Sequence, residues 1–206
     1  MRRLVNIMDK RNSRVPVYLF DIDGTCADHS HRLPLISADR EGGKDWATFH
    51  DLCDTDPPIE AMCNLAFRLI LANAPVIFLT GRMEFQRQKT QEWLALHVHY
   101  GIPSMYLGFE YFEGCDPEHQ PKGAFPWLLM RAEGDFREDT FVKGEWLDRI
   151  ELYFTKKMPD YNVAMAFEDR PRICELWRQR GLVVAQIGDW TEAQQAPPAE
   201  AWGSFA

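Results

Sequence analysis

The sequence predicts an α/β protein built on a doubly wound, Rossmann-like parallel sheet with small insertions. Three observations carry this reading. Apolar runs of strand length recur at Val17–Phe20, Val76–Leu79, Trp127–Met130 and Val163–Phe167, as expected of strands buried on both faces. They alternate with longer stretches whose apolar residues return at helical spacing. Several runs end in polar residues: Asp21 and Asp23, Thr80, Arg131, then Glu168 and Asp169. In an open α/β sheet, ligands bind outside the carboxyl ends of the strands.

Residues 1–15 carry Arg2, Arg3, Lys10, Arg11 and Arg14 without a clear period and read as a solvated basic tail. The first strand follows at about 16–21. Period-two geometry sends Asp21 and Asp23 to the same side of its carboxyl end, and Gly24 permits a sharp turn there. Two acids so placed can divide labour between a nucleophile and a general acid that later serves as base. Residues 26–56 show little period apart from a short helical piece around Lys44–Leu52. They read as a small insertion over the mouth of the site. His29 and His31 lack further ligands at metal spacing and read as polar loop residues.

Asp56 is a candidate N-cap and Pro57 fits the first helical position of the next element. Ile59, Met62, Cys63, Ala66, Leu69 and Ile70 supply its apolar face, and Pro75 closes it. Val76–Leu79 is then a buried strand ending in Thr80-Gly81-Arg82. A helix over about 84–98 stops near Gly101, and Ser104–Leu107 reads as a further short strand. Residues 108–126, rich in Gly, Pro, acids and aromatics, read as an inserted irregular loop.

Trp127–Met130 resumes a strand that ends in Arg131. A polar turn leads to a helix from about Asp139 to Phe154, with Val142, Trp146, Ile150 and Tyr153 as its stripe. Val163–Phe167 delivers Glu168-Asp169. Pro171 starts the last helix, Gly181 stops it, and Leu182–Ile187 is the last strand. Residues 191–206 form an Ala/Pro/Gln/Glu-rich tail. The core domain therefore spans about 16–190.

Composition narrows the function classes. A chain of 206 residues fits one domain with a sizeable core. The net charge of −8 argues against a DNA-coating protein, which would carry a broad basic face, though not against an enzyme that grips only a strand end. Five cysteines without a C-x-x-C pair argue against a disulfide framework or zinc ribbon and for a reducing compartment, hence the cytoplasm. No apolar stretch is long enough to span a bilayer, and no signal peptide is recognisable. The Gly-x-x-x-x-Gly-Lys-Ser/Thr phosphate loop of nucleotide kinases is also missing.

Taken in order, Phe20-Asp-Ile-Asp-Gly-Thr25, Leu79-Thr-Gly-Arg82, Lys143 and Phe167-Glu-Asp-Arg170 resemble the four motifs of the haloacid dehalogenase (HAD) superfamily of phosphohydrolases. The resemblance runs from about residue 16 to 190. It implies a Mg²⁺-dependent phosphomonoesterase in which Asp21 attacks phosphorus and forms an aspartyl-phosphate. Asp23 would protonate the leaving oxygen, then deprotonate the attacking water. Thr80 and Lys143 would hold the equatorial oxygens. The metal would be held by Asp21, the Asp23 backbone carbonyl and Asp169, with Glu168 reaching it through water. These are hard oxygen ligands of the kind Mg²⁺ takes.

A closer resemblance is to the 3′-phosphatase domain of phage polynucleotide kinase-phosphatases. It is carried by Arg32, eleven residues after Asp21, by Cys53-Asp-Thr-Asp56, by the spacing of Arg131, Gly134, Asp135, Arg137, Asp139 and Lys143, and by Trp177-Arg178 with Gly181. It implies that Arg32, Gly81, Arg82 and Arg131 contact substrate and that Asp139 orients Lys143. The expected substrate is a phosphorylated nucleic acid end or a nucleotide, with a separate kinase or ligase as a candidate partner. Three departures keep other readings open: the kinase half is absent, and the 108–126 insertion and the C-terminal tail are extra. A nucleoside 5′-monophosphatase and a non-catalytic binder of phosphorylated ligands are the alternatives.

Overall fold

The computed structural model describes residues 14–98, 110–111 and 125–188. Both terminal tails, the expected strand at Ser104–Leu107 and most of the 108–126 insertion lie outside the described residues. The chain runs β1 (Val15–Asp21), α1 (Trp46–Asp51), α2 (Glu60–Leu71), β2 (Val76–Met83), α3 (Arg87–His97), β3 (Glu110–Tyr111), β4 (Trp127–Arg131), α4 (Asp139–Lys157), β5 (Tyr161–Glu168), α5 (Pro171–Gln179) and β6 (Val183–Gln186). Short 3₁₀ turns at Ser30–Ile36, Leu52–Asp54 and Glu84–Gln86 complete it.

The six strands pair in the order β3-β4-β2-β1-β5-β6, and every pair is parallel. Alternation along β1 and β2 sends successive side chains to two separate cores. Phe20 and Phe78 pack with Met62, Cys63 and Ala66 of α2 and with Trp93 and Leu94 of α3. Val17, Leu19, Ile77 and Leu79 pack on the other face with Trp146, Leu147 and Ile150 of α4 and Ile173 and Trp177 of α5. Helices thus cover both faces, which is why the strands read as continuous apolar runs rather than alternating ones. The doubly wound α/β class expected from the sequence is the one observed. The four described cysteines are free and buried. Among the described residues, no helix is long and apolar enough to cross a membrane.

Several boundaries differ from those the sequence predicts. Strand β2 continues through Thr80, Gly81 and Arg82 to Met83, because Arg82 and Thr80 find buried partners and need not turn out to solvent. Helix α2 starts at Glu60, capped at Ile59 without a side-chain bond, so Asp56 is not its N-cap. The helix after β2 opens with the 3₁₀ turn at Glu84–Gln86 and becomes α-helical only at Arg87. The insertion between β1 and α2 folds as the 3₁₀ turn Ser30–Ile36 docked on α1, joined by the Asp45 N–H donating to the Leu35 carbonyl at 2.8 Å. Asp45 caps α1 by accepting from the Thr48 N–H at 3.0 Å.

Candidate active site

The end of β1 sets the frame. Asp21 is buried as its last residue, and Ile22 drives into the core behind it. The amides of Cys26 and Ala27 both return to the Ile22 carbonyl at 2.8 Å, closing a tight loop. Gly24 occupies that loop at φ +87°, and a Cβ there would stand 1.9 Å from Asp169 Oδ2. Only glycine satisfies both the backbone angle and the close approach of Asp169.

Lys143, in the second turn of α4, reaches across to this loop. Its Nζ donates to Asp21 Oδ1 and to Glu168 Oε2, each at 2.6 Å, with all three side chains buried. Asp169 completes the group: one ligand atom each from Asp21, Glu168 and Asp169 lie within 4.8 Å of one another. Asp21 Oδ2 and both carboxylate oxygens of Asp169 have no hydrogen-bond partner despite full burial. Burial, reinforced by the Glu168 carboxylate, pushes the Asp21 carboxyl up to about 7 in spite of Lys143. Burial and the neighbouring Glu168 and Asp21 carboxylates push Asp169 well above the usual range. Orphaned, crowded carboxylate oxygens facing one point are the donor set that a hard divalent cation such as Mg²⁺ satisfies.

Asp23 lies outside this cluster and faces two arginines. Arg32 Nη2 donates to its Oδ1 at 2.5 Å, and Arg82 donates through Nε at 3.0 Å and Nη2 at 2.7 Å. Thr80 Oγ1 donates to its Oδ2 at 3.3 Å. Burial opposes the charge on Asp23, but Arg82 and Arg32 outweigh it and hold the carboxyl well below the ordinary range. Behind Asp23, the same two arginines close on Asp56, whose side chain is fully buried. Arg32 reaches it through Nε and Nη2, both at 2.7 Å, and Arg82 through Nη2 at 2.9 Å. The Arg32 guanidinium also lies over the Phe49 ring, 4.2 Å from its centroid. Arg32, from the insertion, and Arg82, from β2, are thus locked by a residue whose sequence context reads as a helix cap.

A third group departs from the expected roles. Arg131 Nη1 donates to the carbonyls of Asp135 and Arg137 at 3.1 and 2.7 Å, and its Nη2 to Asp139. Arg170 donates to the other Asp139 oxygen. Asp139 therefore holds Arg131 and Arg170 by hydrogen bonds, with Arg172 a further 3.5 Å ion pair, and the direct partners of Lys143 are Asp21 and Glu168 instead. Burial opposes the Asp139 charge, but Arg170 and Arg131 draw its pKa down to about 2. Arg131 is buried outside the cavity wall, whereas Arg170, left without a role by the sequence reading, lines the cavity. The only local signal for Arg170 is its place directly after Asp169.

The site opens into a cavity bordered by Asp21, Asp23, Arg32, Gly81, Arg82 and Arg170 and roofed by Leu33, Ile36, Trp46 and Phe49 of the insertion. Such a mouth combines cationic forks with an acid pair, which suits a phosphate ester. His29 also lines it; burial, with Arg32, Arg170 and Arg82 nearby, brings its pKa down to about 4. His31 pairs with Thr55 Oγ1 at 3.2 Å.

Residues 116–190, from before β4 through β6, match the family model of the polynucleotide kinase PNKP phosphatase domain. That segment carries Arg131, Asp139, Lys143, Glu168 and Asp169. Among solved structures, a chain of the Pnkp1/Rnl/Hen1 complex superposes with a TM-score of 0.53 at 20% identity, covering 92% of this chain and 52% of that one. A chain of the Pnkp1/Rnl/Hen1 RNA repair complex gives a TM-score of 0.52 at 21% identity, covering 88% and 46%. The chain thus spans about half the length of the structures it matches.

Proposed function

We propose that this chain, a phosphatase of the HAD type resembling the phosphatase domain of polynucleotide kinase PNKP, removes the phosphate from the 3′ end of a nucleic acid strand. The observation that carries the reading is the buried Asp21–Lys143–Glu168–Asp169 group set beside an Asp23 carboxylate clamped by two arginines. The RNA repair assembly named for a structural neighbour supports a strand end as substrate, and on this reading a separate kinase or ligase is the partner.

In this mechanism the phosphate enters between Arg32, Arg82 and Arg170, with Thr80 and Lys143 donating to its oxygens. Asp21, Asp169 and, through water, Glu168 would hold Mg²⁺, which when bound would offset the negative charge shared by the phosphate and the acid group. An Asp21 oxygen attacks phosphorus, the bond from phosphorus to the 3′ oxygen breaks, and that oxygen takes a proton from Asp23. Water then attacks the aspartyl-phosphate and gives a proton back to Asp23, and the bond from phosphorus to Asp21 breaks. In the resting site Asp23 is held ionised. An incoming dianion competes for Arg32 and Arg82, weakening their hold on Asp23 and raising its proton affinity, so that Asp23 takes up a proton from water before it donates in the first step.

The test is phosphate release, with Mg²⁺, from a 3′-phosphorylated oligonucleotide, its 5′-phosphorylated isomer, and 3′- and 5′-mononucleotides. The reading requires preference for the 3′-phosphorylated oligonucleotide. Preference for 5′-mononucleotides would move the protein to nucleotide metabolism.

A further inference from the structure

A second cavity, of about 490 Å³, lies against the first and shares His50 of α1 as a common wall. Its far walls are the exit of β2, with Met83 and Phe85, and the turn between β4 and α4, with Glu133 and Phe136. Phe85 is 60% exposed and Phe136 37%. One exposed phenyl is ordinary on a protein surface. Two on opposite walls of a single cavity are not scattered surface residues.

Aromatic side chains run continuously from the first cavity to the second. Trp46 and His50 stack with centroids 5.9 Å apart, and Phe85 stands edge-on to His50 at 6.2 Å. Burial, with Arg32 close by, lowers the His50 pKa to about 4, so this row carries no charge at neutral pH. Among the described residues, the charged side chains on the second cavity are the acids Asp51 and Glu133. They repel a sugar-phosphate backbone but tolerate a neutral ring. The first cavity, by contrast, presents arginines.

We propose that the second cavity is the subsite for the base of the nucleotide whose phosphate enters the first, with that base stacked on Phe85 opposite Phe136. The inference rests on the reading that the substrate is a nucleoside phosphate ester, and it holds for a strand end and a free nucleotide alike. Stacking accepts every base, because each offers a π-face. The site should therefore demand a base without choosing strongly among the four.

Two steady-state comparisons test this. The first sets a 3′-phosphorylated oligonucleotide against one ending in an abasic sugar 3′-phosphate, and 3′-mononucleotides against ribose 3-phosphate. The second repeats the base-bearing substrates with Phe85→Ala, Phe85→Trp and, as a control phenyl outside the cavity, Phe141→Ala. Loss of the base is expected to raise KM roughly tenfold or more. Phe85→Ala should raise KM for base-bearing substrates to a similar degree with kcat retained, Phe85→Trp should restore it, and Phe141→Ala should match the parent protein. Equal KM for base-bearing and baseless esters, or a Phe85→Ala protein indistinguishable from the parent, would overturn the subsite while leaving the phosphatase reading intact. Turnover of baseless esters with none of any nucleoside phosphate would overturn both.

Discussion

Lys143 Nζ sits 2.6 Å from Asp21 Oδ1, joining residues 122 positions apart in the chain, and both side chains are buried. The same ammonium holds Glu168 at 2.6 Å, so one cation serves two buried carboxylates. Removing it leaves both acids without their shared donor. Breaking a buried pair in this way typically costs about 3–5 kcal/mol. Lys143→Met is therefore expected to lower the unfolding free energy in urea by that amount, read as a lower midpoint at an unchanged m-value, and to abolish phosphate release. A Lys143→Met protein as stable as the parent would show that Lys143 is not the group's counter-charge.

Asp56 makes a second prediction. It binds both Arg32 and Arg82, and so ties the insertion to β2 behind Asp23. Asp56→Asn keeps the shape but removes the anion. The forks then lose their anchor, and kcat should fall by roughly 100-fold, the scale on which misplaced positioning groups act. Far-ultraviolet circular dichroism would show the fold retained at the assay temperature, with a lowered melting temperature because buried ion pairs are weakened.

The orphaned oxygens of Asp21 and Asp169 predict a cation-dependent melting temperature. Mg²⁺ at about 100 times its Kd should stabilise the protein by about 2.7 kcal/mol. For a domain of this size that is a rise of several degrees by calorimetry. Asp169→Asn should abolish the rise, and chelation should abolish activity. An equal rise in Asp169→Asn would place the ion elsewhere.

Acid sensitivity follows from His29, whose pKa is near 4 in the folded chain against an ordinary 6.5, chiefly through burial. Between these values the unfolded chain binds the proton and the folded chain does not, so stability rises with pH across the window. The His29 contribution is complete above about pH 6.5 and is lost as pH falls toward 4, reaching about 2 kcal/mol of destabilisation at pH 5. His29→Asn should lose less stability between pH 7 and pH 5 than the parent protein, measured by urea denaturation.

How much of this was legible in the sequence depended on range. The Asp21-x-Asp23-Gly24 spacing is local, and it places both acids at the carboxyl end of β1, Asp21 as its last residue and Asp23 in the loop that follows. Buried strands and amphipathic helices were legible for the same reason, since their periodicity lies within single elements. Long-range pairing was not. Asp56 before Pro57 is a good cap signal, and nothing nearby says that Arg32 and Arg82 will compete for the carboxylate. β2 read as ending at Leu79 because Thr80, Gly81 and Arg82 look like turn residues until their buried partners are known. Resemblance assigned Asp139 to Lys143, four residues along one helix, whereas the structure pairs Asp139 with Arg131 and Arg170 from two separate strand ends. Which guanidinium meets which carboxylate is settled by topology, and single-sequence patterns do not encode it.

The most direct test of the central claim, that Asp21 takes up the phosphate, is rapid acid quench with enzyme in excess over an oligonucleotide carrying a radiolabelled 3′-phosphate. The account predicts label on the protein that rises and decays as inorganic phosphate appears, maps to the peptide containing Asp21, and is absent from Asp21→Asn, which also releases no phosphate. Turnover with no label on the protein at any time, or turnover retained by Asp21→Asn, would contradict it.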